Sequence, residues 1–278
     1  MIELTINEDG GFINQWCAAP TIYLDHWAWR KISECETLTN RFSHALKSRN
    51  GTLAFSWLNI IEFSKVTDEG QAHKANVLLD SIWPQVFILY PNFFKVIEQE
   101  DKILAGGERF GLHGDLETLK SILKLSPFNP NSLYPLRTPK LFGLVSLSGV
   151  TYDDLADLII NYIESLRQDY CNNREFRLAV DRIPKGGSIE FGTRFIAREL
   201  LGSFLKNKTL QISRNHAMDV SHAIVAVAYC DYVLLDGHWA TQVERARKRI
   251  QDGGASFPIA KVFSEKENGM EKFLQELE

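Results

Sequence analysis

Long apolar runs are missing from this chain. No stretch of its 278 residues reaches the roughly 18 consecutive apolar positions that a membrane helix needs. The opening Met1 to Trp16 lacks the basic start and apolar run of a secretory signal, so the expectation is a soluble, cytoplasmic protein without a membrane partner. Cysteine is scarce and scattered: Cys17, Cys35, Cys171 and Cys230 include no closely spaced pair, which argues against a zinc knuckle or a redox motif and favours reduced, mostly buried thiols. Positive charge is not in excess. A formal net charge of −4 excludes coating of nucleic acid through bulk electrostatics and leaves room only for a local basic surface. Repeats and low-complexity segments are absent. The glycine pairs in Ala105-Gly106-Gly107-Glu108 and Lys185-Gly186-Gly187-Ser188 lack P-loop spacing and read as turns.

What the chain does have is 45% hydrophobic residues, enough for a sizeable core in one large domain or one domain with an insertion. Pro20 to Leu24 reads as a buried strand ending on Asp25. A helix with Leu38, Phe42, Ala45 and Leu46 on one face follows, leaving through Lys47, Arg49 and Gly51. Thr52 to Phe55 is a second strand, and Ser56 is placed to cap a helix through Trp57, Leu58, Ile61 and Glu62. A helix around Gln71 to Trp83 leads to a third strand, Val86 to Leu89. This alternation predicts a parallel sheet covered on both faces. From about Tyr90 to Gln211 the rhythm changes to helices, with an apolar stripe of Leu155, Leu158, Ile159, Tyr162, Ile163 and Leu166 and a second helix marked by Phe191, Phe195, Ile196 and Leu200. That segment reads as a helical insertion. The α/β order then returns: Asp219 is placed to cap a helix, Tyr232 to Leu235 form a strand ending at Asp236, Gln242 to Ile250 form a basic helix, and Phe257 to Phe263 close the sheet.

In an open parallel sheet, functional groups collect beyond the carboxyl ends of the strands. Asp25 and Asp236 occupy two such ends, the helix bearing Asp219 begins at the same edge, and Glu62 lies on a helix leaving it. Two unit charges about 4 Å apart repel by roughly 4 kcal/mol at an effective dielectric of 20, so such a gathering calls for a cation. All-oxygen donors favour Mg²⁺ or Mn²⁺, ions that activate water and stabilise a phosphodiester leaving oxygen. Hydrolysis of a nucleic-acid backbone fits this chemistry.

Tyr23-Leu24-Asp25, Ser56-Trp57-Leu58-Asn59-Ile60-Ile61-Glu62, Asp219-Val220-Ser221-His222-Ala223 and Asp231-Tyr232-Val233-Leu234-Leu235-Asp236 together resemble the PIN-domain family. The resemblance covers roughly residues 20–90 and 212–265. It implies a single PIN-like domain with a five-stranded parallel sheet flanked by helices, interrupted by a large helical insertion at about 90–211. It also implies Asp25, Glu62, Asp219 and Asp236 as catalytic metal ligands for Mg²⁺ or Mn²⁺, and endonucleolytic cleavage, usually of single-stranded RNA, that leaves a 5′-phosphate. Many family members carry Thr-x-Asp after the last of these strands. Here Leu235-Asp236-Gly237 lacks the Thr and places the acid one position earlier.

Around these acids stand residues with two readings each. Ser56 and Asn59 share the face of Glu62 and are candidates for substrate or phosphate contact, with capping the alternative for Ser56. Arg245, Arg247, Lys248 and Arg249 either bind phosphates, with Arg245 the leading candidate, or form a solvated basic helix. Trp27, Trp29, Trp57 and Trp239 either stack on bases or pack in the core, packing being the default. His222 is expected to be a hydrogen-bonded, partly buried histidine. A rival enzyme reading takes His216, Asp219, His222 and His238 as a Zn²⁺ or Fe site of a metallophosphohydrolase. A third reading is a non-catalytic PIN-like module that binds RNA or protein through its helical insertion.

Overall fold

The computed structural model describes residues 1–7, 10–56, 59, 69–106, 114–115, 153–183, 192–207, 209–254 and 258–278. Two antiparallel strands, β1 (Ile2–Asn7) and β2 (Gly10–Gln15), open the chain. Then come β3 (Thr21–Leu24), α1 (His26–Glu34), α2 (Glu36–Ser48), β4 (Thr52–Ser56), α3 (Glu69–Ile82) and β5 (Val86–Leu89). A mostly helical stretch follows: α4 (Phe93–Leu104), α5 (Asp153–Asn172), α6 (Arg174–Asp181) and α7 (Thr193–Lys206). The chain ends with α8 (Arg214–Tyr229), β6 (Tyr232–Leu234), α9 (Gly237–Asp252), β7 (Lys261–Phe263) and α10 (Gly269–Leu277). The expected α/β class holds, with a five-stranded, all-parallel sheet flanked by helices in the order β5-β4-β3-β6-β7.

Every residue of β3, β4 and β5 is buried, so both faces of these strands are covered. Helices α1, α2, α3 and α10 pack among themselves, as do α4, α5, α7 and α8. One continuous core joins them: Trp29 and Phe55 meet at 5.0 Å between ring centroids, and Ile159, Ile163, Ile196 and Leu200 are part of the same apolar cluster as the strands. The helices expected as an insertion therefore share the core of the sheet. No helix among the described residues is long and apolar enough to cross a membrane.

Several local expectations need correction. The helix bearing Asp219 starts at Arg214, because Ser213 caps it in a reciprocal box with His216, so Asp219 sits in the second turn and not at the cap. On α5 the buried face is Ala156, Ile159, Ile163 and Arg167, whereas Leu158 and Tyr162 of the expected stripe are exposed. At the exit of α2 it is Asn50 that adopts the left-handed backbone, at φ 52°; Gly51 is needed for a different reason, since a Cβ there would lie 2.9 Å from the Pro20 carbonyl oxygen. The closing strand is shorter than expected, only Lys261–Phe263, and the basic helix is longer. Glu62, Trp57, Phe191, Phe257 and the Lys185–Ser188 turn lie outside the described residues.

Candidate functional site

The sheet order dictates where a site can form. From β3 the chain steps outward through β4 to β5, then returns to add β6 and β7 on the other side, which makes β3 and β6 the switch point whose carboxyl ends open a crevice. The ladder runs on past both strands: the Asp25 amide donates to the Leu234 carbonyl and the Leu235 amide to the Phe263 carbonyl, each at 3.0 Å. Asp25 and Asp236 are thereby set at adjacent strand ends.

Both aspartates also begin helices. The Asp25 carboxylate accepts from the His26 amide at 2.8 Å at the start of α1. Asp236 Oδ1 accepts from the His238 and Trp239 amides at 2.7 and 2.9 Å at the start of α9, so its two capping bonds fall on one oxygen. Two helix amino termini thus converge on one edge, and their partial positive charge offsets part of the repulsion between the acids.

A cleft of about 920 Å³ lies there, lined by Asp25, Asp219 and Asp236 together with Asn215, Glu265, Arg30 and Lys31. Three of the four proposed acids therefore share one cleft. The fourth, Glu62, is outside the described residues. Among the described residues, no three His, Cys, Asp or Glu side chains are grouped closely enough to hold a metal ion by themselves. No three of the rival set His216, Asp219, His222 and His238 form such a group either. His222 is buried, His216 belongs to the cap of α8, and exposed His238 sits edge-on to Trp239 at 5.1 Å.

Ser56 and Asn59, candidates for substrate contact, are 0% and 1% exposed and do not line the cleft. Their polar groups are turned to each other and to His222. The basic helix α9 divides into two sets. Arg247 bonds to Glu244 and to the carbonyls of Ile259 and Ala260, and Arg249 bonds to Glu199, so these two cations serve the fold. Arg245 and Lys248 are exposed and line a second cleft of about 500 Å³ with Lys266 and Lys272, where Glu244 and Glu267 are the acids. Gly237 and Lys266 of that cleft directly follow Asp236 and Glu265 of the first, so the two adjoin. Of the tryptophans, Trp29 and Trp239 are core residues and Trp27 lines the carboxylate cleft.

Six cleft residues, His26, Arg30, Lys31, Glu34, Asn215 and Glu265, escaped the sequence reading, and two of them carried a signal. Asn215 is one turn before Asp219 on α8 and becomes visible once Ser213 is recognised as the cap. Glu265 lies just beyond the carboxyl end of β7, at the same kind of position that singled out Asp25. No family model, curated protein or solved structure matches the chain.

Proposed function

We propose that this chain is a PIN-like endonuclease that hydrolyses phosphodiester bonds, with RNA as the substrate, in the cleft between the ends of β3 and β6. The observation that carries the reading is the presence of Asp25, Asp219 and Asp236, remote in sequence, in one cleft at the switch point of a five-stranded parallel sheet. The donor chemistry fits Mg²⁺ or Mn²⁺: carboxylate and amide oxygens from Asp25, Glu34, Asn215, Asp219, Asp236 and Glu265 dominate the lining, with His26 the one imidazole and no thiolate among the described lining residues. Asp25, Asp219 and Asp236, with Glu62 as the fourth ligand, would hold the ion. When bound, it would supply activation of water and neutralisation of the charge developing on the phosphate.

The chain's own groups do the rest. The amino termini of α1 and α9 favour an incoming phosphate. Lys31 stands at the cleft as a local cation, and Arg245 and Lys248 extend positive charge along the adjoining surface, where successive phosphates would lie. A net acidic protein can bind a polyanion in this way because the cations are concentrated beside the site.

The test is cleavage of a single-stranded RNA oligonucleotide by the full chain in Mn²⁺, with and without excess EDTA. Cleavage that disappears on chelation and on Asp25→Asn, leaving 5′-phosphate and 3′-hydroxyl ends, is the expected result. Undiminished cleavage in EDTA, or 2′,3′-cyclic phosphate products, would refute the mechanism. RNA binding without any metal-dependent cleavage would instead identify a non-catalytic module.

A further inference from the structure

We infer that His222 is a positioning residue for the carboxylate cleft: a closed ring of hydrogen bonds through its imidazole locks α8 to the ends of β3 and β4 and so fixes Asp219 relative to Asp25. The catalytic consequence rests on the nuclease reading above; the geometry of the ring does not.

The ring has four members, all buried: Tyr23 and Ser56 at 0% exposure, Asn59 at 1% and His222 at 5%. Its directions can be worked out from donor and acceptor chemistry. The Ser56 backbone amide can only donate, and it points to Asn59 Oδ1 at 3.0 Å, which fixes the carboxamide orientation. Ser56 Oγ also lies 3.0 Å from Oδ1 and must donate to it. Its lone pairs are then left for His222 Nε2 at 3.3 Å, which must carry the proton. Nδ1 of a neutral imidazole is an acceptor, so it receives the Tyr23 hydroxyl at 2.8 Å. Asn59 Nδ2 closes the ring by donating to the Tyr23 oxygen at 3.5 Å. The Ser56 and Asn59 contacts thus put a proton on Nε2, and a neutral ring with Nδ1 as acceptor completes the set.

Position gives this ring its effect on the cleft. His222 is three residues after Asp219, nearly one helical turn, on the same face of α8. Tyr23 is two residues before Asp25 on β3, and Ser56 ends β4. The Tyr23 and His222 rings also meet edge to face, 5.9 Å apart. The elements that carry Asp25 and Asp219, β3 and α8, are therefore tied to each other and to the end of β4. A neutral ring adds no positive charge below the carboxylates, so it supports them without opposing a bound cation.

The experiment compares the full-length wild type with His222→Ala, His222→Gln and Tyr23→Phe. Histidine ¹⁵N spectra of the wild type should show a neutral ring protonated on Nε2; a protonated Nδ1 would overturn the assignment. Amide hydrogen exchange around residues 217–220 should accelerate roughly 10-fold in His222→Ala. Under Mn²⁺ the same variant should lose about 10–100-fold in kcat on the RNA oligonucleotide, the usual effect of removing a group that orients a ligand, with KM nearly unchanged. His222→Gln, which restores one polar contact, should recover part of both. A folded His222→Ala with wild-type exchange and wild-type kcat would overturn the proposal. Should His222→Ala fail to fold, Tyr23→Phe removes a single hydroxyl and carries the same measurements. If the wild type neither binds Mn²⁺ nor cleaves, the nuclease reading fails, and the exchange data still decide whether His222 positions α8.

Discussion

Asp231 and Asp236 bracket β6, and replacing each should produce opposite outcomes. Asp231 Oδ2 accepts from the Thr21 amide at 2.7 Å and from the Thr21 hydroxyl at 3.0 Å, fastening the start of β6 to the start of β3. Asp231→Ala removes both bonds, while the backbone bond from the Asp231 amide to the Thr21 carbonyl survives. Hydrogen bonds to a charged group are worth about 1.5–3 kcal/mol, but Asp231 is exposed and water replaces much of the loss, so the net cost should be about 1–2 kcal/mol. At roughly 2–4 °C per kcal/mol for a chain of this size, Tm should fall by about 2–8 °C. Five residues further on, roughly 16 Å away at about 3.3 Å per residue, Asp236→Asn keeps a side-chain oxygen to cap α9 and removes only the charge. Its Tm should stay near wild type, and metal-dependent cleavage should fall at least about 10-fold. Thermal melts and initial cleavage rates on the same folded samples decide the matter. A rate that fell with Asp231→Ala and not with Asp236→Asn would refute the placement of the site at the carboxyl edge of the sheet.

Glu100 is 3% exposed and accepts from the Thr193 and Tyr229 hydroxyls; burial raises its pKa above the ordinary value, the two hydroxyls opposing this only in part. A carboxyl raised in the folded state favours folding at low pH and loses that contribution as pH climbs from the unfolded value through the folded one. The stability of Glu100→Gln relative to wild type should therefore grow between about pH 4 and pH 7; a difference that shrank with pH would contradict the assignment. Arg167 reaches from α5 to the carbonyls of Phe204 and Leu210 near the end of α7, groups the helix itself leaves unpaired. Urea unfolding of Arg167→Ala should show a loss of about 2–3 kcal/mol, and a loss under about 0.5 kcal/mol would mean that water satisfies those carbonyls equally well. Finally, Arg245→Ala combined with Lys248→Ala should lower the slope of log affinity against log salt for single-stranded RNA by about 1.4, or about 0.7 for each lost phosphate contact; an unchanged slope would place the nucleic acid elsewhere.

Strand-forming runs and the strand-end acids were legible because parallel strands buried on both faces are written as short continuous apolar runs, and Asp25 and Asp236 stop two of them abruptly. The start of α8 was not legible. Ser213 is followed at the third helical position by His216, not by the Glu or Gln of a familiar capping box, so Asp219 drew attention as the cap instead. Arg167 was absent from the apolar stripe expected for α5, yet it is buried there, its guanidinium bonded to backbone carbonyls. Burial of Ser56 and Asn59 could not be read from helical spacing, because their partners, Tyr23 and His222, lie on elements 33 or more residues away. The same holds for the helices of the 90–211 segment. Their periodicity marks them as helical, but only the three-dimensional packing shows them merging with the core beneath α8.

The pairing of β3 with β6 joins Ile22 to Tyr232 across some two hundred residues of intervening chain. During synthesis, β3 therefore spends most of its time as an open edge, with β4 and β5 on one side and nothing on the other. A nascent or truncated product ending before α8 would expose the hydrogen-bonding edge of Thr21–Leu24, an all-apolar stretch apart from Thr21 and the Tyr23 hydroxyl, to any other unpaired strand. Such a fragment would also hold Asp25 without Asp219 or Asp236. A chain cut short is thus left prone to aggregate, and the acidic cleft exists only once the last quarter of the polypeptide has paired with β3.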